Sequence, residues 1–172
     1  MMISCMRRIP KPAGVLGWTL GAVAMHAALP FELSRLRGRG RPPAPTAPAV
    51  RSTGLLTVAA GASLMAWAFA AHYQAAPPEG WAVRSRPAPD YLVRTGPYRL
   101  SRNPMYTGES AVWLGWSLFY GHPAVWAGSA ILCAAWPAIV RWEERQLLEY
   151  FGDDYRAYLA QVPRWVPRTA RH

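Results

Sequence analysis

Between Gly96 and Gly108 the chain reads GPYRLSRNPMYTG, which brings Tyr98, Arg99, Arg102, Asn103 and Tyr106 to the entrance of a long apolar segment. Polar groups at the mouth of a membrane helix are costly unless they bind a ligand or one another, about 2.5 to 3.5 kcal/mol for a charge at the centre on insertion scales. A second cluster, Arg141, Glu143 and Glu144, follows the next apolar run. Guanidinium and carboxylate groups facing each other offset much of that penalty. The same groups suit two purposes: a ligand site with acids, bases and aromatic faces, or a salt-bridge cluster that staples neighbouring helices. Spacing alone does not separate them.

The elements between the two clusters must hold them together. Residues 104–120 and 123–140 read as the arms of a helical hairpin, with Gly121 and His122 as its turn and Pro104 as a first-turn residue. Because the arms have almost no loop, the start near Pro104 and the end near Arg141 lie at the same membrane face and form one site. Pro137 is expected to kink the second arm and open room for a ligand. From Glu143 the pattern turns amphipathic: Leu147, Leu148, Phe151, Tyr155, Tyr158, Leu159 and Val162 recur at three-to-four spacing. This predicts an interfacial helix from Glu143, with Gly152 ending its first half, Asp153 or Asp154 capping the second, and Pro163 stopping it.

Upstream, residues 13–33 and 54–72 read as two further spans, giving one all-α, multi-pass membrane domain over residues 1–172 with about four spans. The first apolar run also suits a cleaved signal, with Arg7 and Arg8 before it and small residues at Ala24 to Ala28; an uncleaved helix is preferred. Residues 34–52, with five arginines among prolines and glycines, predict a loop without regular structure. Residues 74–95 form a polar connection in which Asp90 to Val93 are a short ordered piece. His72, alone at a helix end, reads as interfacial rather than as a ligand.

Composition supports the membrane assignment. Of 172 residues 52% are hydrophobic and 16% charged, with nine tryptophans, unlike an ordinary soluble domain. The mean hydropathy of −0.01 averages apolar runs with arginine- and proline-rich connections. The net charge of +10 falls in short segments flanking the apolar runs, which argues for membrane flanks and against nucleic acid. Fourteen of the 19 basic residues share one side with the polar clusters, so that side is expected to be cytoplasmic, in a bacterial-type inner membrane. Cys5 and Cys133 support neither a disulfide framework nor a zinc site, and no metal is expected. Nothing in the sequence speaks to the oligomeric state.

GPYRLSRNPMYTG, followed after two apolar runs by EERQLLEYFGDDYRAYLAQVPRWVP, resembles the isoprenylcysteine carboxyl methyltransferase and phospholipid methyltransferase superfamily of integral-membrane enzymes. The resemblance covers about residues 90–167. It rests on a G-x-Y-x-x-x-R-x-P-x-Y block, a glutamate pair and an F-G-x-x-Y-x-x-Y-x-x-x-V-P block in that order. It implies membrane helices around a cytoplasm-facing pocket for S-adenosylmethionine, and the chain has no G-x-G-x-x-G turn after a strand. By resemblance the cofactor is held by Asp90, Tyr91, Leu92 and Val93, by Tyr98, by Asn103, Pro104, Met105 and Tyr106, and by Glu143. Arg102 is expected to pair with the cofactor carboxylate or to fix Glu143. Rings and a backbone carbonyl can face the sulfonium, and a carboxylate can accept from the ribose hydroxyls or the ammonium.

Methyl transfer is an in-line displacement, and an amine or thiol acceptor also needs a base, for which Glu144, Glu109 and Tyr106 are the candidates. Glu109 equally suits a first-turn acid complementing the helix dipole. The family usually has histidine where this chain has Asn103. Prenylcysteine enzymes place an arginine for the acceptor carboxylate where this chain has Ile139, with Arg141 nearby. The reading is therefore a methyltransferase for a lipid or lipophilic acceptor entering from the bilayer. Prenylcysteine carboxyl methylation, phospholipid head-group N-methylation and a non-catalytic scaffold are the alternatives.

Overall fold

Proline opens each of the long helices after the first, where its missing N–H and fixed φ cost nothing. The fold is that of a computed structural model that describes residues 8–36, 46–82 and 91–165. α1 (Lys11–Val23) runs through a π-helical turn, Ala24–Ala28, into α2 (Leu29–Ser34). α3 is Pro48–Ala75, α4 Pro104–Tyr120, α5 Pro123–Phe151 and α6 Asp153–Gln161. A 3-10 turn, Gly96–Arg99, precedes α4, and β1 (Arg8–Ile9) pairs antiparallel with β2 (Trp81–Ala82).

Lys11–Ser34, Pro48–Ala75 and Pro123–Phe151 are long and apolar enough to cross a membrane. α4 has 17 residues and is shorter, so by this measure the expected four spans stand at three among the described residues. Their surfaces fit a lipid solvent: Leu16, Leu20, Leu56, Trp67, Trp126 and Ile131 are all exposed. Such helices gain little from hydrophobic burial against each other and associate through close packing.

Two sequence expectations are corrected. Residues 34–52 are not all loop, because α3 begins at Pro48 and carries Arg51 in its first turn. Nor does a separate helix start at Glu143: α5 continues past Val140 and through the Arg141–Glu144 cluster to Phe151. Charge marked a boundary in the pattern, but no residue there breaks a helix. The break comes at Gly152, with φ 53° and ψ −122°, a conformation that favours glycine. Pro137 lies inside α5 without ending it.

The closest helix pair is α3 and α4, not the α4–α5 hairpin. A Cβ at Gly54 would lie 2.6 Å from the Gly115 carbonyl oxygen, and one at Gly61 2.6 Å from that of Gly108. The two antiparallel helices therefore touch backbone to backbone at two points seven residues apart. α5 closes the other side of α4, where Trp113 is buried against Gly128. This packing brings the end of α3, the start of α4 and the end of α5 to one end of the bundle, where α6 folds back.

Candidate active site

At that end a cavity of about 300 Å³ opens between residues 91–93, the 3-10 turn, α4, α5 and α6. Gly96 sets its rim: its φ of 58° suits glycine, and a Cβ there would press on the Trp67 indole at 3.1 Å. This turn buries Tyr98, whose hydroxyl lies 3.0 Å from His72 Nε2 at the end of α3. The Tyr158 hydroxyl on α6 donates to the Tyr98 carbonyl at 2.7 Å. Burial pushes the Tyr98 and Tyr155 phenols up and holds Tyr158 at about 12, although Arg102 and Arg94 pull it down. All three therefore stay protonated near neutral pH, and Tyr158 acts as a hydrogen-bond donor.

The opposite wall is built by α4 and α5. The Tyr106 hydroxyl donates to Glu143 Oε1 at 2.6 Å, and the Tyr106 ring packs on Trp136 with centroids 4.7 Å apart. Trp136 in turn donates to Ser110 Oγ at 3.0 Å, which locks this wall across the two helices. A phenol–carboxylate bond of this length is charge-assisted and fixes both side chains.

One residue further along α5, the carboxylate of Glu144 is clamped. Arg102 meets Glu144 Oε1 through Nε at 3.1 Å and Nη2 at 2.9 Å, while its Nη1 donates to the Leu159 and Val162 carbonyls, both at 3.1 Å. Arg164 donates to both Glu144 oxygens, and that bonding raises its own pKa. The Arg102 amide donates to the Pro163 carbonyl at 2.9 Å, and Asn103 Nδ2 to the Arg164 carbonyl at 2.9 Å. The segment after α6 is thereby tied to the loop before α4.

The two sequence clusters do meet at one end of the bundle. Tyr91, Leu92, Val93, Tyr98, Arg102, Asn103, Met105, Tyr106, Glu109, Glu143 and Glu144 all line the cavity. Pro104 is wholly buried as the helix-opening residue and is not on the wall. Arg141 is exposed, lies in a separate outer groove with Arg145 and Arg164, and does not reach the cavity. Arg102 grips Glu144, not Glu143, and four of its five N–H groups are committed. Asp90 lies outside the described residues.

Sequence reasoning read His72 as interfacial and Leu147, Tyr155 and Tyr158 as part of an amphipathic stripe, yet all four also line the cavity. The two tyrosines had a signal in their three-residue spacing within the F-G-x-x-Y-x-x-Y block. His72 had none, because its nearness to Tyr98 arises only from α3 packing on α4. Among the described residues no group of histidines, cysteines and acids could hold a metal.

Apolar-surfaced helices that converge on a polar, aromatic cavity define a helical integral-membrane protein with a cavity at one end of the bundle. The phospholipid methyltransferase family profile matches residues 50–154, more than half of the chain, and the chain belongs to this family of integral-membrane methyltransferases. The matched region begins within α3 and so includes the glycine contacts that set α4. Neither a curated protein nor a solved structure matches the chain.

Proposed function

We propose that the chain transfers a methyl group from S-adenosylmethionine to a lipid or lipophilic acceptor that enters the cavity from the bilayer. The observation that carries this reading is the Tyr106–Glu143 pair facing the Tyr98 ring across a cavity of about 300 Å³. That volume sits at the lower end of the roughly 300 to 1,000 Å³ of small-molecule sites. The wall chemistry fits the cofactor: Tyr91 and Tyr98 offer ring faces to a cation, Glu143 a carboxylate oxygen to hydroxyl or ammonium groups, and residues 91–93 backbone groups. Bound there, S-adenosylmethionine supplies an activated methyl group on a sulfonium sulfur.

The chain's own part is alignment and the exclusion of water. Val93, Met105 and Leu147 give the cavity apolar surface, and Tyr106 holds the Glu143 carboxylate in one orientation. Arg102 and Glu144 act on the site by fixing the loop before α4 against the segment after α6. The count of basic residues supports placing this end of the bundle in the cytoplasm. The family favours a phospholipid head group as the first acceptor to test, and Ile139 speaks against a prenylcysteine carboxylate.

The test is a thermal shift of the purified full chain in detergent with S-adenosylhomocysteine, followed by transfer of radiolabelled methyl into membrane lipids. A saturable shift and labelled lipid are expected. No shift at any ligand concentration would contradict the reading and favour a non-catalytic scaffold.

A further inference from the structure

We propose that His26, on the first helix, is a positioning residue for Glu109, which accepts the proton of a thiol or amine acceptor. The inference rests on the methyltransferase reading above and adds to it a proton acceptor, an acceptor class and a role for a helix outside the family-matched residues.

Three carboxylates line the cavity among the described residues. Glu144 has both oxygens bound by guanidinium groups, and Glu143 accepts the Tyr106 hydroxyl. Glu109 remains, one turn after Tyr106 on α4. The imidazole beside it is that of His26, whose Nε2 lies 3.7 Å from Glu109 Oε1; both side chains are mostly buried, at 13% and 18% exposure. That separation is too long for a hydrogen bond, but catalytic pairs often tighten only when the ligand is bound.

The backbone around His26 is also unusual. His26 occupies the middle of the π-helical turn Ala24–Ala28, and its carbonyl accepts the Trp116 indole N–H of α4. Such turns are rare inside α-helices and are frequent at functional sites. The other ring nitrogen, Nδ1, is buried and has no hydrogen-bond partner among the described residues. A buried histidine held by a locally distorted helix, with one nitrogen near a cavity carboxylate and the other open, is arranged to orient that carboxylate and share its proton.

The reaction balances as follows. The acceptor sulfur or nitrogen forms a bond to the methyl carbon as the bond from that carbon to the sulfonium sulfur breaks. The bonding pair stays on the departing sulfur, which becomes a neutral thioether, and the proton lost by the acceptor moves to the Glu109 carboxylate. A carboxylate acceptor would arrive ionised and need no base. It would also meet Glu109 and Glu143 with Arg102 already committed to Glu144, so the wall selects against it.

The experiment uses the full chain in nanodiscs, with radiolabelled methyl transfer to three probes, dodecanethiol, dodecylamine and dodecanoate, beside calorimetric binding of S-adenosylhomocysteine. The expected result is transfer to the thiol or the amine and not to dodecanoate. His26→Ala lowers kcat on that probe about 100-fold, within the range of general-base contributions. His26→Gln, which keeps a hydrogen-bonding group near Glu109, recovers part of the rate, and Met25→Ala, on the exposed neighbouring position, changes nothing. S-adenosylhomocysteine binding stays within twofold in all three variants. Preferred transfer to dodecanoate, no transfer to any probe by a chain that binds S-adenosylhomocysteine, or equal losses in His26→Ala and Met25→Ala would overturn the inference. Absence of S-adenosylhomocysteine binding in the unaltered chain would instead overturn the methyltransferase reading itself.

Discussion

Glu143 and Glu144 are neighbours on α5, yet they belong to different regions. Glu143 faces the cavity and takes one hydrogen bond from the Tyr106 phenol. Glu144, a hundred degrees round the helix, faces the loop before α4 and the segment after α6, where two arginines neutralise it. The difference separates two purposes that the sequence leaves merged. A cavity wall and a structural staple coexist at the same end of the bundle; both carboxylates border the cavity, but one residue of rotation gives Glu144 to the arginines and leaves Glu143 to Tyr106. The staple holds the loop carrying Tyr98 and Arg102, and the cavity wall is where the proposed recognition takes place.

The largest expected effect breaks the staple. Glu144→Gln leaves the Arg102 and Arg164 guanidiniums without their counter-charge, and Arg102 is largely buried, so unfolding in detergent should show a loss of about 3 to 5 kcal/mol. A loss below 1 kcal/mol would mean that the clamp is only a surface ion pair. Next comes the frame on which both regions depend. Gly61→Val inserts a side chain where even a Cβ would lie 2.6 Å from the Gly108 carbonyl oxygen, and overpacking of this kind costs about 1 to 3 kcal/mol. Because α4 carries Tyr106, ligand binding should fall together with stability in that variant, and unfolding and binding measured on one preparation check the pairing.

The third variant separates the regions in the other direction. Glu143→Gln removes the cavity carboxylate held by Tyr106 but touches no guanidinium, so S-adenosylhomocysteine binding should weaken at least tenfold, about 1.4 kcal/mol, with unfolding little changed. The smallest effect is at the far end of the bundle. His122 accepts the Ala124 amide at 3.2 Å as the cap of α5, so His122→Ala should cost roughly 0.5 to 1.5 kcal/mol of stability and leave ligand binding unaltered. A binding defect there would show that the cavity responds to any disturbance of the hairpin.

Much of the fold was legible in punctuation. Pro104, Gly121 and Pro123 set the limits of α4 and the start of α5 because proline and glycine act locally. Boundaries inferred from polarity were less legible. The arginines around Pro48 read as loop, and the charges at 141–145 read as a helix end, whereas a helix emerging from an apolar layer changes solvent without changing conformation. The α3–α4 contact was missed because Gly54, Gly61, Gly108 and Gly115 gain meaning only when two helices are laid side by side. At the site, the residues that line the cavity were legible through the family resemblance of their motifs. The partner of Arg102 was not, since two adjacent glutamates are equivalent until the rotation of α5 is known.

The central claim is that Glu143, and not Glu144, belongs to a cofactor wall. Calorimetric titration of S-adenosylhomocysteine into the unaltered chain, into Glu143→Gln and into Tyr106→Phe tests it most directly, with circular dichroism confirming folded protein in each. The account predicts saturable binding to the unaltered chain and at least tenfold weaker binding to both variants. Equal affinity in all three, or no heat with the unaltered chain, would contradict it.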